Sequence, residues 1–173
     1  MQGITVRKEE VSDIKAIDVV HMSAFEGDQE VGLIDSLRKS SSFMPDLSLV
    51  AEFKNRIVGH VLLSRVRFQR GADGMDILAL GPMAVVPSQS HRGIGSQLVK
   101  AAVDAATEQG FAAIVVVGHP EFYQKFGFSP ASRWGLHCNL PVPDEIVSAI
   151  ELKPGALGSD GHVIFPSQFE KVY

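Results

Sequence analysis

Cysteine and tryptophan are nearly absent from this chain, and long apolar runs and basic blocks are missing altogether. One cysteine among 173 residues, Cys138, excludes an internal disulfide and a cysteine-rich metal site. No apolar run approaches the ~20 residues that a helix needs to cross a bilayer. Residues 1–7 lack the apolar core of a secretory leader, so the cytoplasm is the expected location. The formal net charge is −4 with no dense Lys/Arg cluster, which disfavours non-specific binding of nucleic acid. His21, His60, His91, His137 and His162 show no ligand spacing such as His-x-x-x-His, and no metal site is expected. What remains is an ordinary globular balance, 45% hydrophobic and 21% charged, long enough for one domain over residues 1–173.

The pattern along the chain is α/β. Residues 4–7 read as a strand. Ser12 or Asp13 is placed to cap a helix carrying Ile14, Ile17, Val20 and Met22. A second helix carries Val31, Ile34 and Leu37. Segments 47–53 and 57–68 form a hairpin about the polar turn Lys54-Asn55-Arg56. Segment 75–86 is an apolar strand interrupted at Gly81-Pro82, where a proline without an N–H predicts a bulge or an unpaired site. Ile94, Leu98, Ala101, Ala102 and Ala105 make a helix stripe closed by Gly110. Segment 112–117 is a buried strand, joined to segment 75–86 by a right-handed parallel crossover. A short helix is expected over 120–126. The tail, 127–173, is rich in Gly and Pro, with strand-like runs at 146–152 and 162–165, the first equally readable as helix.

The most telling run is Val85-Val86-Pro87-Ser88-Gln89-Ser90-His91-Arg92-Gly93-Ile94-Gly95-Ser96. A strand ends at proline, a polar loop follows, and two glycines open a helix. Glycines let a backbone approach a ligand closely, and the free N–H groups of a helix start carry partial positive charge. Arg92 adds a full charge and Ser96 a hydroxyl, so the turn suits a diphosphate. About thirty residues on comes Tyr123-Gln124-Lys125-Phe126-Gly127-Phe128. It follows the strand that pairs with segment 75–86. Interrupting that pairing at Gly81-Pro82 would open a wedge at the C-terminal strand ends, where α/β sheets usually bind ligands.

Together these motifs resemble the GNAT superfamily of acetyl-CoA-dependent N-acetyltransferases, and the tail, with Glu151-Leu152-Lys153-Pro154-Gly155-Ala156-Leu157, resembles its small bacterial YhbS-type branch. The family pattern Gln/Arg-x-x-Gly-x-Gly/Ala falls on residues 90–95, with Ser90 at its first position and Gln89 one residue earlier. The Tyr-x-x-x-Gly-Phe segment falls on residues 123–128. The resemblance spans residues 3–130 and implies a mixed sheet splayed between its two central parallel strands, with helices on both faces. It implies acetyl-CoA as donor, held by His91, Arg92, Gly93, Ile94, Gly95 and Ser96 and by backbone groups of Met83, Ala84 and Val85. It implies a small-molecule or peptide amine as acceptor, and a homodimer in which the tail's apolar residues could form the interface.

Acetyl transfer to an amine needs a neutral nitrogen, a stabilised thioester oxygen and a proton for the departing thiolate. The resemblance places Tyr123 at the sulfur as general acid, a role suited to a phenol of pKa ~10. A backbone N–H near Met83 to Val85 would stabilise the oxygen. For the base, Asp76, Glu26, Asp28, His119 and Glu121 are candidates and none stands out. Phe25, Phe43, Met44 and Trp134 are candidates for the acceptor pocket, with core packing expected of Phe25 and Phe43. Cys138 has no evident activating partner, so direct attack is expected. A non-catalytic acyl-CoA sensor is the competing reading. A dinucleotide fold is disfavoured because Leu98 replaces the third glycine, and no Gly-x-x-x-x-Gly-Lys-Ser/Thr phosphate loop occurs.

Overall fold

The structure, a computed structural model, describes residues 3–173; Met1 and Gln2, part of the segment read above for a leader, lie outside it. Strands β1 (Ile4–Lys8), β2 (Phe43–Phe53), β3 (Arg56–Arg70) and β4 (Asp73–Val85) form an antiparallel meander. Lys54 and Asn55, both at positive φ, turn β2 into β3 with the geometry that two-residue hairpins favour. Helices α1 (Ile14–Ala24) and α2 (Gln29–Arg38) lie between β1 and β2 in sequence. Helix α3 (Ile94–Glu108) leads to β5 (Ala113–Val117), which pairs parallel with β4, and α4 (Pro120–Gln124) follows. The tail supplies β6 (Ser129–Pro130), β7 (His137–Cys138), β8 (Val147–Glu151) and β9 (His162–Ile164). The main sheet order is β1-β2-β3-β4-β5-β8-β6, with β9 pairing to β3 and β7.

Alternation along the strands gives the sheet two apolar faces. Leu62, Val66, Ile77 and Val115 pack with Leu33, Ile34 and Leu37 of α2. Val61, Leu63, Leu78 and Ile114 pack with Ile94, Leu98 and Ala102 of α3. Some side chains differ from the helix stripes read above. Met22 is exposed, and α1 turns His21 inward instead; Leu33 takes the place expected of Val31; Val99 and Ala106 join the α3 stripe. Of segment 146–152, Val147–Glu151 is strand and pairs antiparallel with β5 on the side away from β4. Strand β2 begins at Phe43, ahead of the expected 47, across an irregularity between Phe43 and Ser48. The tail's large apolar side chains, Leu136, Leu140, Leu157 and Phe165 among them, are buried in the chain's own core.

Gly59 lets α3 lie close against β3. A Cβ there would stand 3.0 Å from Leu98 Cδ1, 3.2 Å from Ile94 Cγ2 and 3.3 Å from the Ala84 carbonyl oxygen. Overpacking of this kind costs about 1–3 kcal/mol. Gly59→Ala is therefore expected to lower unfolding free energy by about that amount in urea titration, despite the better strand propensity of alanine.

A second buried feature ties α1 to the sheet. The Ser48 hydroxyl donates to the Glu9 carboxylate, so it accepts from His60 Nε2, 2.8 Å away. That fixes His60 Nδ1 as acceptor for His21 Nε2, also at 2.8 Å. Arg38 pairs with Glu9 at the far end. His21 and His60 are both fully buried, and His21 Nδ1 has no partner. Burial pushes the His21 imidazole down to about 4, and burial, His21 and Arg38 hold His60 well below its ordinary range.

Candidate active site

Pairing between β4 and β5 runs through Leu78, Ala79 and Leu80 against Ile114, Val115 and Val116, and then stops. The next residues of β4 are Gly81, at φ +132°, and Pro82, joined by a cis peptide. On its other edge β4 gains a residue relative to β3 here, since Leu80 faces Leu63 while Met83 faces Val61. The expected bulge is thus present, and beyond it the strands part. The gap is a cleft of about 410 Å³ with Leu80 and Met83 on one wall and Val116 and Val117 on the other.

Past the bulge, the Val86 N–H donates to the Val58 carbonyl at 2.9 Å. Antiparallel ladders alternate, so Ala84 also turns its N–H to β3, while Met83 and Val85 turn theirs to the open side. Of the three residues singled out, Met83 and Val85 present free donors to the gap and Ala84 does not.

The loop after β4 behaves as its composition suggests. Gly93 caps α3 in the left-handed region at φ +75°, with no side-chain hydrogen bond to the first turn. The first backbone bond is Gln97 N–H to Gly93 O, at 3.1 Å, so the N–H groups of Ile94, Gly95 and Ser96 lack partners within the helix. The Ile94 side chain is buried in the core, and only its backbone faces the loop. A Cβ on Gly95 would meet Phe122 and Met83 at ordinary distances, so protein packing alone does not demand glycine there. Ser90 donates to the Pro87 carbonyl at 2.8 Å and is turned into its own loop. Gln89 instead lines a groove of about 430 Å³ with Arg92, Lys54 and Arg56. Arg92 sits over the Phe53 ring, 5.7 Å from its centre. The β2–β3 turn thus adds two cations to the loop that the sequence reading had not connected with it. His91 is exposed at φ +70°.

Helix α4 delivers Tyr123 to the cleft. Its ring packs edge-on against Phe122 at 5.1 Å and tilted against Phe128 at 5.5 Å. The residue is 5% exposed and also lines the cleft, so core packing and access to the gap coexist. Burial and the neighbouring Tyr173 raise its phenol well above the usual tyrosine range.

Of the candidate bases, only His119 lines the cleft. Glu26, Asp28 and Glu121 are exposed elsewhere, and Asp76 pairs with Arg67 at 3.5 Å near the start of β4. Of the candidate acceptor residues, only Phe25 lines the cleft. Phe43 and Trp134 pack on one core under Arg38 and Arg133, and Met44 packs on the other. Three lining residues were not foreseen: Glu30, in the first turn of α2, and Val172 and Tyr173. The turn Ser167–Lys171 rests on α2, with Lys171 donating to Ser36, and carries the last two residues into the cleft. Cys138 is half-buried, and burial raises its thiol. Among the described residues, no group of three His, Cys, Asp or Glu is arranged to hold a metal ion, and no helix is long and apolar enough to cross a membrane.

Residues 45–130, from β2 through β6, match the model of the acetyltransferase (GNAT) domain. The chain is 30% identical over 168 residues to YhbS of Escherichia coli strain K12, an uncharacterized N-acetyltransferase, covering 96% of this chain and 98% of that protein. The chain belongs to the GNAT N-acetyltransferase family. It is also 32% identical over 139 residues to YjhQ of the same strain, likewise an uncharacterized N-acetyltransferase, covering 80% of this chain and 75% of the relative. The crystal structure of E. coli YhbS in complex with CoA superposes with a TM-score of 0.89 at 28% identity, covering 98% of this chain and 93% of that one. A GNAT acetyltransferase from Brucella melitensis, solved with acetyl-CoA, shares the fold at a TM-score of 0.76 and 24% identity, covering 98% and 99%. The mixed sheet, splayed between its central parallel strands with helices on both faces, is the acyl-CoA N-acyltransferase fold.

Proposed function

We propose that this chain transfers an acetyl group from acetyl-CoA to a primary amine by direct attack, with both substrates bound together and Tyr123 as general acid. The observation that carries this reading is the parting of β4 from β5 at a cleft that Tyr123 lines, next to an uncapped helix start flanked by Arg92. Acetyl-CoA supplies an activated thioester whose carbon accepts the amine and whose sulfur leaves. The bare N–H groups of Ile94, Gly95 and Ser96 suit its diphosphate, and Arg92, Gln89, Lys54 and Arg56 suit its phosphates more generally. The crystallised relatives that hold CoA and acetyl-CoA support the donor.

The open-edge N–H of Met83 or Val85 is set to stabilise charge developing on the thioester oxygen. Tyr123 keeps its proton throughout the neutral range, because burial disfavours the phenolate. It gives that proton up only as charge develops on the departing sulfur, and recovers one from the acylated nitrogen. We assign these roles to Met83, Val85, Arg92, Gly93, Ile94, Gly95, Ser96 and Tyr123 within an acetyltransferase core over 3–130, extended by 131–173.

Thermal shift with acetyl-CoA, CoA, NAD and ATP side by side tests the reading. Stabilisation of about 2.7 kcal/mol is expected at ~100 times the dissociation constant of either CoA form, and none from the others. No shift with either CoA form removes the proposal. Arg92→Ala removes one charge-assisted phosphate contact, worth about 1.5–3 kcal/mol. It should weaken acetyl-CoA binding at least tenfold, measured by calorimetry, and flatten the salt dependence of that binding.

A further inference from the structure

The cleft has an unusual electrostatic make-up. Among the side chains that line it, Glu30 is the sole carboxylate, and no lysine or arginine is present. Glu30 forms no ion pair among the described residues, and its Oε1 is buried without a hydrogen-bond partner. An acid in a helix's first turn ordinarily answers the helix dipole while facing water. Here one oxygen is shut away from water and nothing satisfies it, which is costly for a charged acceptor. Phe25 and Tyr173 provide aromatic surface in the same cleft. Burial and the Glu30 carboxylate raise the Tyr173 phenol, so both groups share one poorly solvated region.

We infer, on the basis of the acetyl-transfer reading above, that Glu30 receives the ammonium of the acceptor, and that the acceptor is a primary amine with an apolar or aromatic body and no carboxylate beside its nitrogen. Glu30 lines the cleft without an ion-pair partner, and an ammonium there brings N–H donors to its carboxylate. Aromatic rings nearby attract a desolvated cation. A free α-amino acid would carry a carboxylate next to the nitrogen, close to Glu30 and without a cation in the cleft to receive it.

The same carboxylate solves the problem of the base. A primary amine of pKa ~10.4 is almost wholly protonated at neutral pH and cannot attack. One N–H proton passes from the ammonium to the Glu30 carboxylate. The freed nitrogen pair forms the N–C bond to the thioester carbon, and the C–S bond breaks with its electrons on sulfur. Tyr123 protonates the sulfur and takes the second nitrogen proton. Glu30 then releases its proton to solvent, so the net products are the N-acetyl amine, CoA and one proton.

The experiment uses the full chain, with 2-phenylethylamine and phenylalanine as probes and thiol release as readout. The wild type is expected to acetylate 2-phenylethylamine with kcat/KM at least 100-fold above phenylalanine. Glu30→Gln should lower kcat/KM for 2-phenylethylamine at least 30-fold and shift its pH profile toward the alkaline side, where free amine is abundant. The other titratable groups of the cleft, His119, Tyr123 and Tyr173, are unchanged in that variant. Thermal stabilisation by acetyl-CoA should be retained, and Glu30→Asp should recover part of the activity. Equal or preferred use of phenylalanine overturns the inference, independently of whether any variant folds. So does a Glu30→Gln enzyme with wild-type kinetics, or acetyl-CoA binding with turnover of neither probe. Loss of acetyl-CoA stabilisation in the wild type would instead strike the acetyl-transfer reading itself.

Discussion

Tyr123→Phe should lower turnover at least tenfold, and about a hundredfold if proton transfer to sulfur limits the rate, with acetyl-CoA affinity changed less than twofold. A positioned general acid typically contributes 10²–10⁴-fold. The substitution removes one oxygen and leaves the ring, whose edge and tilted contacts with Phe122 and Phe128 phenylalanine reproduces. Stability is accordingly expected to hold within about 1 kcal/mol. A fall in kcat and in kcat/KM by the same factor is the signature of an interaction made only in the transition state. Unchanged turnover at saturating amine would take Tyr123 out of the chemistry and leave it as core. The strongly raised phenol adds a second expectation. Activity should show no loss on the alkaline side that traces to Tyr123 before the protein itself unfolds, so any basic limb below pH ~10 must come from another group.

Acidification from pH 7 to pH 5 should cost about 2 kcal/mol of stability from His21 alone, with His60 acting in the same direction. In the unfolded chain an imidazole takes up a proton near 6.5; in the folded one His21 does so only near 4. Between those values the unfolded state binds more protons, so unfolding free energy falls as pH falls, by ~1.4 kcal/mol per pH unit for each such group. Two carboxylates are shifted as well. Asp13, held below its usual range by the Arg7 guanidinium at 2.8 Å, loses its contribution only as pH drops through that lowered value. Asp18, raised by burial and by Asp35, works the other way on acidification. Urea titrations at pH 7, 6 and 5 isolate the histidine window. His21→Gln keeps a donor for His60 Nδ1 and does not titrate, so it should remove a substantial part of the slope. A wild-type stability that is flat from pH 7 to pH 5 would mean that the two imidazoles are not held neutral in the fold.

The parts of this site written in local chemistry were legible in the sequence. Gly81-Pro82 announced a break because proline has no N–H to give a ladder, and the break is where β4 leaves β5. Gly93, Gly95 and Arg92 announced a helix start open to an anion. Tyr123 came from the resemblance of residues 123–128 to the family's Tyr-x-x-x-Gly-Phe segment, and the structure places it on the cleft. Long-range placement was not legible. Glu30 reads as a solvated acid opening α2, and nothing near it in sequence tells that Val172 and Tyr173 return to cover it. Lys54 and Arg56 read as turn residues, and their approach to Arg92 depends on the β2–β3 hairpin lying beside the α3 loop. His21 was missed as a core residue because a polar side chain on an apolar face signals nothing until its partner, His60, is found 39 residues away.

The short seam between β4 and β5 has a consequence for cohesion. β1 to β4 form a continuous meander of neighbours, whereas β5, β8 and β6 join it along the sheet through three residue pairs. A joint with so few ladder pairs is expected to open before the meander does, so amide exchange in β5 and β8 should be faster than in β2 and β3. A donor lying in the gap would touch both units at once. Its binding would then knit the molecule, and exchange should slow most in β5, on the side of the seam away from the loop between β4 and α3.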